Sequence, residues 1–373
     1  MACGKPKRGL KDIIRRHNIE TFSSNFALYG DLSERVMSII ESRLPLVEVY
    51  SIDESFADLT GMPEPHDRLG YSLRSEILKK TGIPVGIGIA NTKTLAKLAN
   101  AAAKRWQTQT GGVVDIRDPE KRDKLLKAMP VDEVWGIGRR LHEKLQEMNI
   151  KTAWDLAKAD TPLLRKRFSV LVEKTARELV GISCLDMEPV SPSKKEICTS
   201  RSFGRRLYDL TELQEAVTSY VSRAAEKMRG QKSFCNLMQV GIRTGMFNEN
   251  EQKYSRAILC HLPYPTDDSR LMIKTALSGL DQIYRKGPAY AKASILLMDL
   301  CDREQLTPDL FEPTQLLSTD RLMVTLDEIN GRWGRGTIRP GRLQRQFSGD
   351  MQRNHLSPAY TTKLSELFTV KAR

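Results

Sequence analysis

Val47-Glu48-Val49-Tyr50-Ser51-Ile52-Asp53-Glu54-Ser55-Phe56-Ala57-Asp58-Leu59 is the stretch on which the fold turns. Val47–Ile52 is dense in β-favouring residues, and so is Ser55–Leu59, which predicts two antiparallel strands joined at or near Asp53-Glu54. Two adjacent carboxylates at the end of an apolar strand are expensive to bury without a partner. A hard cation such as Mg²⁺ is one such partner, because it takes few oxygens from protein when a phosphate supplies the rest. A solvated hairpin turn is the other reading of the same four residues, Ser51-Ile52-Asp53-Glu54.

Working outward, Val36, Ile39, Ile40 and Leu44 fall at helical spacing behind Asp31 and Ser33, either of which can cap a helix. On the other side come a helix through Leu69, Leu73 and Ile77 and a strand from Val85 to Ala90, in which Gly86 and Gly88 alternate with apolar residues. Asn91 is placed to cap a helix running to Lys104, and Gly111-Gly112 introduces a strand from Val113 to Ile116. Small Ala96, Ala99 and Ala103 let that helix pack closely, while Lys93, Lys97 and Lys104 share one side of it. A basic helix face beside an acidic pair suits a triphosphate whose other oxygens go to a metal. A solvated lysine face is the alternative.

From Asp118 to about Val180 the pattern predicts short helices and no strand. Within it, Val134-Trp135-Gly136-Ile137-Gly138 precedes a helix from Arg139 to Met148. Glycines there let backbone N–H groups meet a phosphate at a helix N-terminus, as in a helix-hairpin-helix that holds DNA backbone without reading sequence. A plain G-x-G turn is the alternative. Pro189 and Pro192, between Cys184 and Ser193, mark a linker. Beyond it, strand (197–203), helix (211–229), two strands (237–243 and 255–262), helix (267–286) and strand (293–300) spell β-α-β-β-α-β, the ferredoxin-like order with two helices on one face. On its first strand, Thr199-Ser200-Arg201-Ser202-Phe203-Gly204-Arg205-Arg206 alternates hydroxyl and guanidinium groups, suited to a run of phosphates or to a charged sheet edge. The tail from Asp302 is polar, with a short helix at Leu322 to Ile329, followed by Arg332, Arg335, Arg339, Arg342 and Arg345.

The composition agrees with a basic, multidomain globular chain. In 373 residues, 59 Lys+Arg stand against 46 Asp+Glu, a net charge of +13, and 40% of residues are hydrophobic. A disordered tail and a disulfide-stapled mini-protein are excluded, and a polyanionic partner is indicated. Cys3, Cys184, Cys198, Cys235, Cys260 and Cys301 form no C-x-x-C pair, so they read as reduced, mostly buried thiols. With no apolar run of about 18 residues and no signal peptide, the expected place is the cytoplasm and no membrane partner is expected.

In this order the motifs resemble the Y-family translesion DNA polymerases of the UmuC type, over the chain from about Gly9 onward. The resemblance rests on Tyr50-Ser51-Ile52-Asp53-Glu54-Ser55-Phe56, on Asn91 to Lys104, on Val134-Trp135-Gly136-Ile137-Gly138 and on Ser200-Arg201-Ser202-Phe203-Gly204. It implies an α+β right-hand polymerase with incomplete palm and fingers (1–117), a helical thumb (118–183), a linker (184–193), a ferredoxin-like little finger that binds DNA (194–300) and a partner-binding tail (301–373). Asp53 and Glu54 match the catalytic metal ligands for two Mg²⁺ ions, and Lys104, with Lys97 beside it, matches the lysine that meets the incoming dNTP. Gly136, Gly138 and Arg139 match the thumb loop on DNA, and Ser200, Arg201, Ser202 and Arg205 lie where the little finger would meet phosphates.

Gln305-Leu306-Thr307-Pro308-Asp309-Leu310-Phe311 resembles a sliding-clamp peptide, through Gln305, Leu306, Leu310 and Phe311, with an ordinary linker as the alternative. The tail resembles the region through which relatives meet a processed UmuD-like dimer and a RecA-type recombinase filament. The implied function is error-prone primer extension in SOS mutagenesis, UV protection and DNA repair. One departure stands out: the family opens with an apolar strand bearing a further metal-ligand aspartate, and nothing before Asp31 resembles it. Asp12, in the helical-looking Leu10 to Arg16, is no substitute. This implies a truncated chain with little or no polymerase activity, which binds primer-template DNA without extending it.

Overall fold

The protein, as a computed structural model, is described over residues 11–63, 65–188, 192–305, 313–343, 355–367 and 369–370. Two compact units divide it, Met1–Ser191 with His355–Arg373 and Pro192–Asn354.

The first unit begins with α1 (Lys11–Arg16) and α2 (Phe26–Arg43). Neither Asp31 nor Ser33 caps α2. Asn25 does so, its side-chain oxygen accepting from the Leu28 N–H while its amide donates to the Ser357 carbonyl at 2.9 Å. Asp31 instead pairs with Arg35 one turn on, and the Ser33 hydroxyl donates to the Ile52 carbonyl. The predicted hairpin forms from β1 (Leu46–Val49) and β2 (Ser55–Asp58), with Leu46 opposite Asp58 and Val49 opposite Ser55. Its first strand stops three residues short of Ile52, because the Tyr50 and Ser51 N–H groups both turn back to the Glu54 carbonyl, at 3.1 and 3.0 Å.

Next come α3 (His66–Thr81), β3 (Ile87–Ile89), α4 (Lys93–Arg105), α5 (Gln107–Thr110) and β4 (Val113–Asp115), with β3 and β4 parallel. Thr92, not Asn91, caps α4, since its hydroxyl both accepts from the Leu95 N–H and donates to the Glu178 carbonyl. Gly88 explains the small residues of α4: a Cβ on it would lie 2.2 Å from the Ala96 carbonyl oxygen, so strand and helix backbones touch. Among the described residues β2 pairs only with β1, and β3 only with β4. Both β2 and β3 line one apolar cavity of about 190 Å³, to which neither β1 nor β4 contributes.

The helical block holds α6 (Pro119–Ala128), α7 (Arg139–Glu147), α8 (Ala153–Lys158), α9 (Thr161–Arg167) and α10 (Val170–Leu179). As expected it contains no strand among the described residues, and Leu126, Leu145, Leu156, Leu164 and Leu179 are buried at its centre. Asp118 and Thr152 cap α6 and α8, the latter in a reciprocal capping box with Asp155.

In the second unit β5 (Ile197–Leu207), α11 (Leu210–Gly230), β6 (Ser233–Thr244), β7 (Ser255–Thr266), α12 (Ser269–Ile283) and β8 (Tyr290–Asp302) follow the predicted β-α-β-β-α-β order. The sheet order is β5-β8-β6-β7, all neighbours antiparallel, so each helix connects two parallel strands with one strand between them. Leu213, Val217, Val221 and Met228 of α11 and Met272, Ala276 and Leu280 of α12 close over Met238, Val240, Ile295 and Leu297.

The tail departs from expectation. In place of a short helix at Leu322 to Ile329 there is α13 (Leu317–Trp333), 17 residues long. Met323 is its one buried side chain, and charge does the rest: Arg229 reaches Asp327 at 2.6 Å, and Arg303 reaches both Asp267 and Asp320. Burial pushes the Asp267 carboxyl up, against the Gln315 amide and Arg303 that hold it ionised. The expectation of mostly buried cysteines needs correcting too. Cys235 and Cys260 are buried, Cys184 and Cys301 are half-buried and Cys198 is exposed.

Candidate functional site

Asp53 and Glu54 sit in the turn of the β1–β2 hairpin and line the mouth of the apolar cavity. Asp53 is exposed and accepts from the Ser51 hydroxyl at 2.6 Å. Glu54 is half-buried, and its Oε2 meets Lys97 Nζ at 3.0 Å, so the acidic hairpin faces the basic helix α4. The three lysines of α4 do not act as one face. Lys93 is engaged with Glu48 and the Asp186 carbonyl, in a pair whose side chains are each only 10% exposed. Lys97 is engaged with Glu54. Lys104 is exposed, lies along Gly86 and makes no ion pair among the described residues.

Sequence reasoning missed the aromatic cluster over this pair. The Lys97 ammonium lies 4.8 Å from the Tyr50 ring centre and 4.9 Å from that of Trp135. The Tyr50 and Trp135 rings meet edge to face at 5.4 Å, and Phe56 completes the group at 5.7 Å from Trp135. Phe56 and Tyr50 flank the acidic pair in sequence, which is the signal that was there to be read. Trp135 lies some 80 residues away, and only the fold brings it in. Among the described residues no third Asp, Glu, His or Cys joins the pair in a metal-binding group. Two hard carboxylates fit a divalent ion whose remaining ligands are phosphate and water oxygens.

A second cluster rests on Glu178, fully buried. Its carboxylate accepts from the N–H groups of Thr94, Cys184 and Leu185 at 2.9 to 3.1 Å, tying the start of α4 to the chain that leaves α10.

Gly136 and Gly138 are exposed on the loop before α7. Gly136 has φ +89, a conformation that suits glycine, and Gly138 caps α7 with no side-chain bond, leaving the first N–H groups of the helix open. Arg139 follows, largely exposed and paired with Glu143.

On β5 the alternation noted in the sequence separates the residues it was expected to unite, because successive strand side chains point to opposite faces. Ser200 and Ser202 lie on the face away from the helices. Arg201, in the same row as Ala293, lies on the helix-bearing side with Thr199 and Phe203. Arg205 is held by Glu212 of α11, and Arg206 by Glu251. The cross-strand register adds two basic residues that sequence reasoning passed over: Ser202 stands opposite Lys292, and Lys292 opposite Arg243. Gln305 ends a short 3₁₀ turn, and Leu306, Leu310 and Phe311 lie outside the described residues. Of the tail arginines, Arg335 bonds Glu226 and Arg342 bonds Gln214.

The fold is that of Y-family DNA polymerases: a solved Y-family DNA polymerase chimera superposes with a TM-score of 0.57 over 74% of this chain and 78% of that one, at 20% identity. Residues 4–101 match the impB/mucB/samB family, residues 194–310 its C-terminal domain, residues 119–150 the IMS family HHH motif, and residues 320–370 a domain of unknown function (DUF4113). Protein UmuC of Salmonella typhimurium strain LT2 is 44% identical over 100% of this chain and 89% of its own length. Protein MucB of Escherichia coli is 43% identical over 97% of this chain and 86% of its own. A DNA polymerase IV of Clostridium acetobutylicum is 25% identical over 86% and 78%. The chain belongs to the UmuC/MucB/ImpB/SamB family of Y-family polymerases. No helix among the described residues is long and apolar enough to cross a membrane.

Proposed function

We propose that this chain is an error-prone translesion DNA polymerase subunit of SOS mutagenesis, UV protection and DNA repair, adding dNTPs to a primer at Asp53 and Glu54. The observation that carries the reading is the acidic hairpin turn set against α4 in a chain of this family. Asp53 and Glu54 would hold two Mg²⁺ ions. The chemistry supplied there would be Lewis-acid activation of the primer 3′ hydroxyl and positive charge beside the leaving pyrophosphate.

The rest follows from the chain's own residues. Lys104, exposed and with no ion pair among the described residues, is the cation for the triphosphate, with Lys97 beside it. Gly136, Gly138 and Arg139 present open N–H groups and a guanidinium to DNA backbone. The 194–300 region acts as the ferredoxin-like little finger, with Ser200, Ser202, Lys292 and Arg243 on the open face taking phosphates. Arg201 and Arg205 contribute from the other side. Residues 1–117 act as fingers and palm, 118–183 as thumb and 184–193 as linker.

The tail (301–373) meets a UmuD-like dimer and a RecA-type filament, Gln305, Leu306, Leu310 and Phe311 meet a sliding clamp, and the work is done in the cytoplasm. A second reading, DNA binding without extension, is favoured by the donor count of two carboxylates among the described residues. Primer extension by the purified chain on a primed template with Mg²⁺ separates the two. Incorporation that is lost in Asp53→Ala and Glu54→Ala supports the first. DNA binding with no incorporation supports the second.

A further inference from the structure

Lys97 is not poised as a ligand-binding lysine ordinarily is. Its ammonium is enclosed by the Tyr50 and Trp135 rings, and its side chain is 21% exposed. Among the described residues its carboxylate partner is Glu54, at 3.0 Å. Lys104, about two turns along the same helix, shows the contrast with its exposed side chain. A cation held over two aromatic faces and against a carboxylate gains from all three. A divalent ion seated on the same carboxylate would meet that ammonium at a few ångströms, where like charges repel strongly in a partly desolvated site.

We propose that Lys97 is the resident counter-cation of the acidic turn, so that a divalent ion gains Glu54 only by displacing it and the metal concentration needed to load the site is set by this lysine. The inference rests on the active-site reading of Asp53 and Glu54, and it adds a competitor to that site. Trp135 shares the cage, so departure of the ammonium changes the surroundings of its indole. Loading therefore carries an optical signature.

The test measures Mn²⁺ binding directly, without nucleotide or DNA, by electron paramagnetic resonance of free Mn²⁺ in the full chain. Lys97→Met, which keeps the stem and removes the charge, is expected to bind Mn²⁺ about three- to tenfold more tightly, the range for a partly exposed ion pair reinforced by ring contacts. Lys104→Met removes the same charge from the same helix without touching Glu54 and is expected to change affinity less than about twofold, as screened charges do. Titrating the wild-type chain with Mg²⁺ is expected to change tryptophan emission, and that change should vanish in Trp135→Phe and in Lys97→Met.

Equal or weaker Mn²⁺ binding by Lys97→Met, with a site that Glu54→Gln still weakens, overturns the displacement and leaves the active-site reading standing. A Mg²⁺ response that survives in Lys97→Met overturns it as well. Absence of any Glu54-dependent site in both proteins overturns the active-site reading, and the displacement with it.

Discussion

The two sheet regions of this molecule solve different problems. In the second unit four long strands pair edge to edge, and two helices seal one face over side chains such as Met238, Val240 and Leu297 that water does not reach. In the first unit the strands are three or four residues long and form two separate pairs, β1–β2 and β3–β4, with an apolar cavity of about 190 Å³ lined by β2 and β3. The apolar core around the continuous sheet is far larger than the one around the two short pairs. The acidic turn, the lysine cage and the open edges are concentrated where the sheet is not continuous, and low local stability is where moving, ligand-binding parts are drawn from.

Core truncations should show the contrast most strongly. Leu213→Ala is expected to cost about 2–5 kcal/mol in denaturant unfolding, as full burial requires, whereas half-buried Ile40→Ala, beside the cavity, should cost about 1 kcal/mol. Equal costs would erase the distinction between the regions. Glu178→Ala should fall between them, at about 2–3 kcal/mol, because it strands the buried Thr94 N–H and the half-buried N–H groups of Cys184 and Leu185. That loss would show that buried hydrogen bonding, more than apolar packing, holds the start of α4.

The second unit's open face offers a subtler test. Lys292→Ala and Arg243→Ala should each weaken DNA binding and lower the salt slope by about 1. Cys198, exposed on that face, should be alkylated readily at pH 8 and protected by bound DNA, while Cys235 stays unreactive because burial lifts its thiol from 9.0 to about 11. The unfolded chain releases the Cys235 proton first. Stability should therefore fall as pH rises from about 9 to about 11, an effect absent in Cys235→Ala.

Much of this was legible in the residues, for local reasons. The hairpin announces itself through Val47, Val49 and Phe56 around an acidic turn, and the β-α-β-β-α-β order through periodicity that switches between two and 3.6. The misses have physical causes. α13 has a single buried side chain, so its apolar pattern is faint, and the ion pairs that dock it, Arg229 to Asp327 and Arg303 to Asp320, join residues remote in sequence. The capping shifts from Asp31 to Asn25 and from Asn91 to Thr92 follow from tertiary bonds to Ser357 and Glu178. The alternation on β5 is visible in the sequence, but which of its two faces carries the helices is set by the register with β8. Lys97 looked like one of three equivalent cations, and only the approach of Glu54, Tyr50 and Trp135 sets it apart.

The central claim, that the acidic turn binds metal for nucleotidyl transfer, is tested most directly by single-nucleotide incorporation on a primed template by the purified chain, with Mg²⁺ and then with chelator. The account predicts Mg²⁺-dependent incorporation that Glu54→Ala reduces by about 10²–10³-fold, as loss of a charge-stabilising group does, with DNA affinity unchanged. Incorporation that persists undiminished in Asp53→Ala and Glu54→Ala, or no incorporation by the wild-type chain at any Mg²⁺ concentration while it still binds DNA, would contradict it.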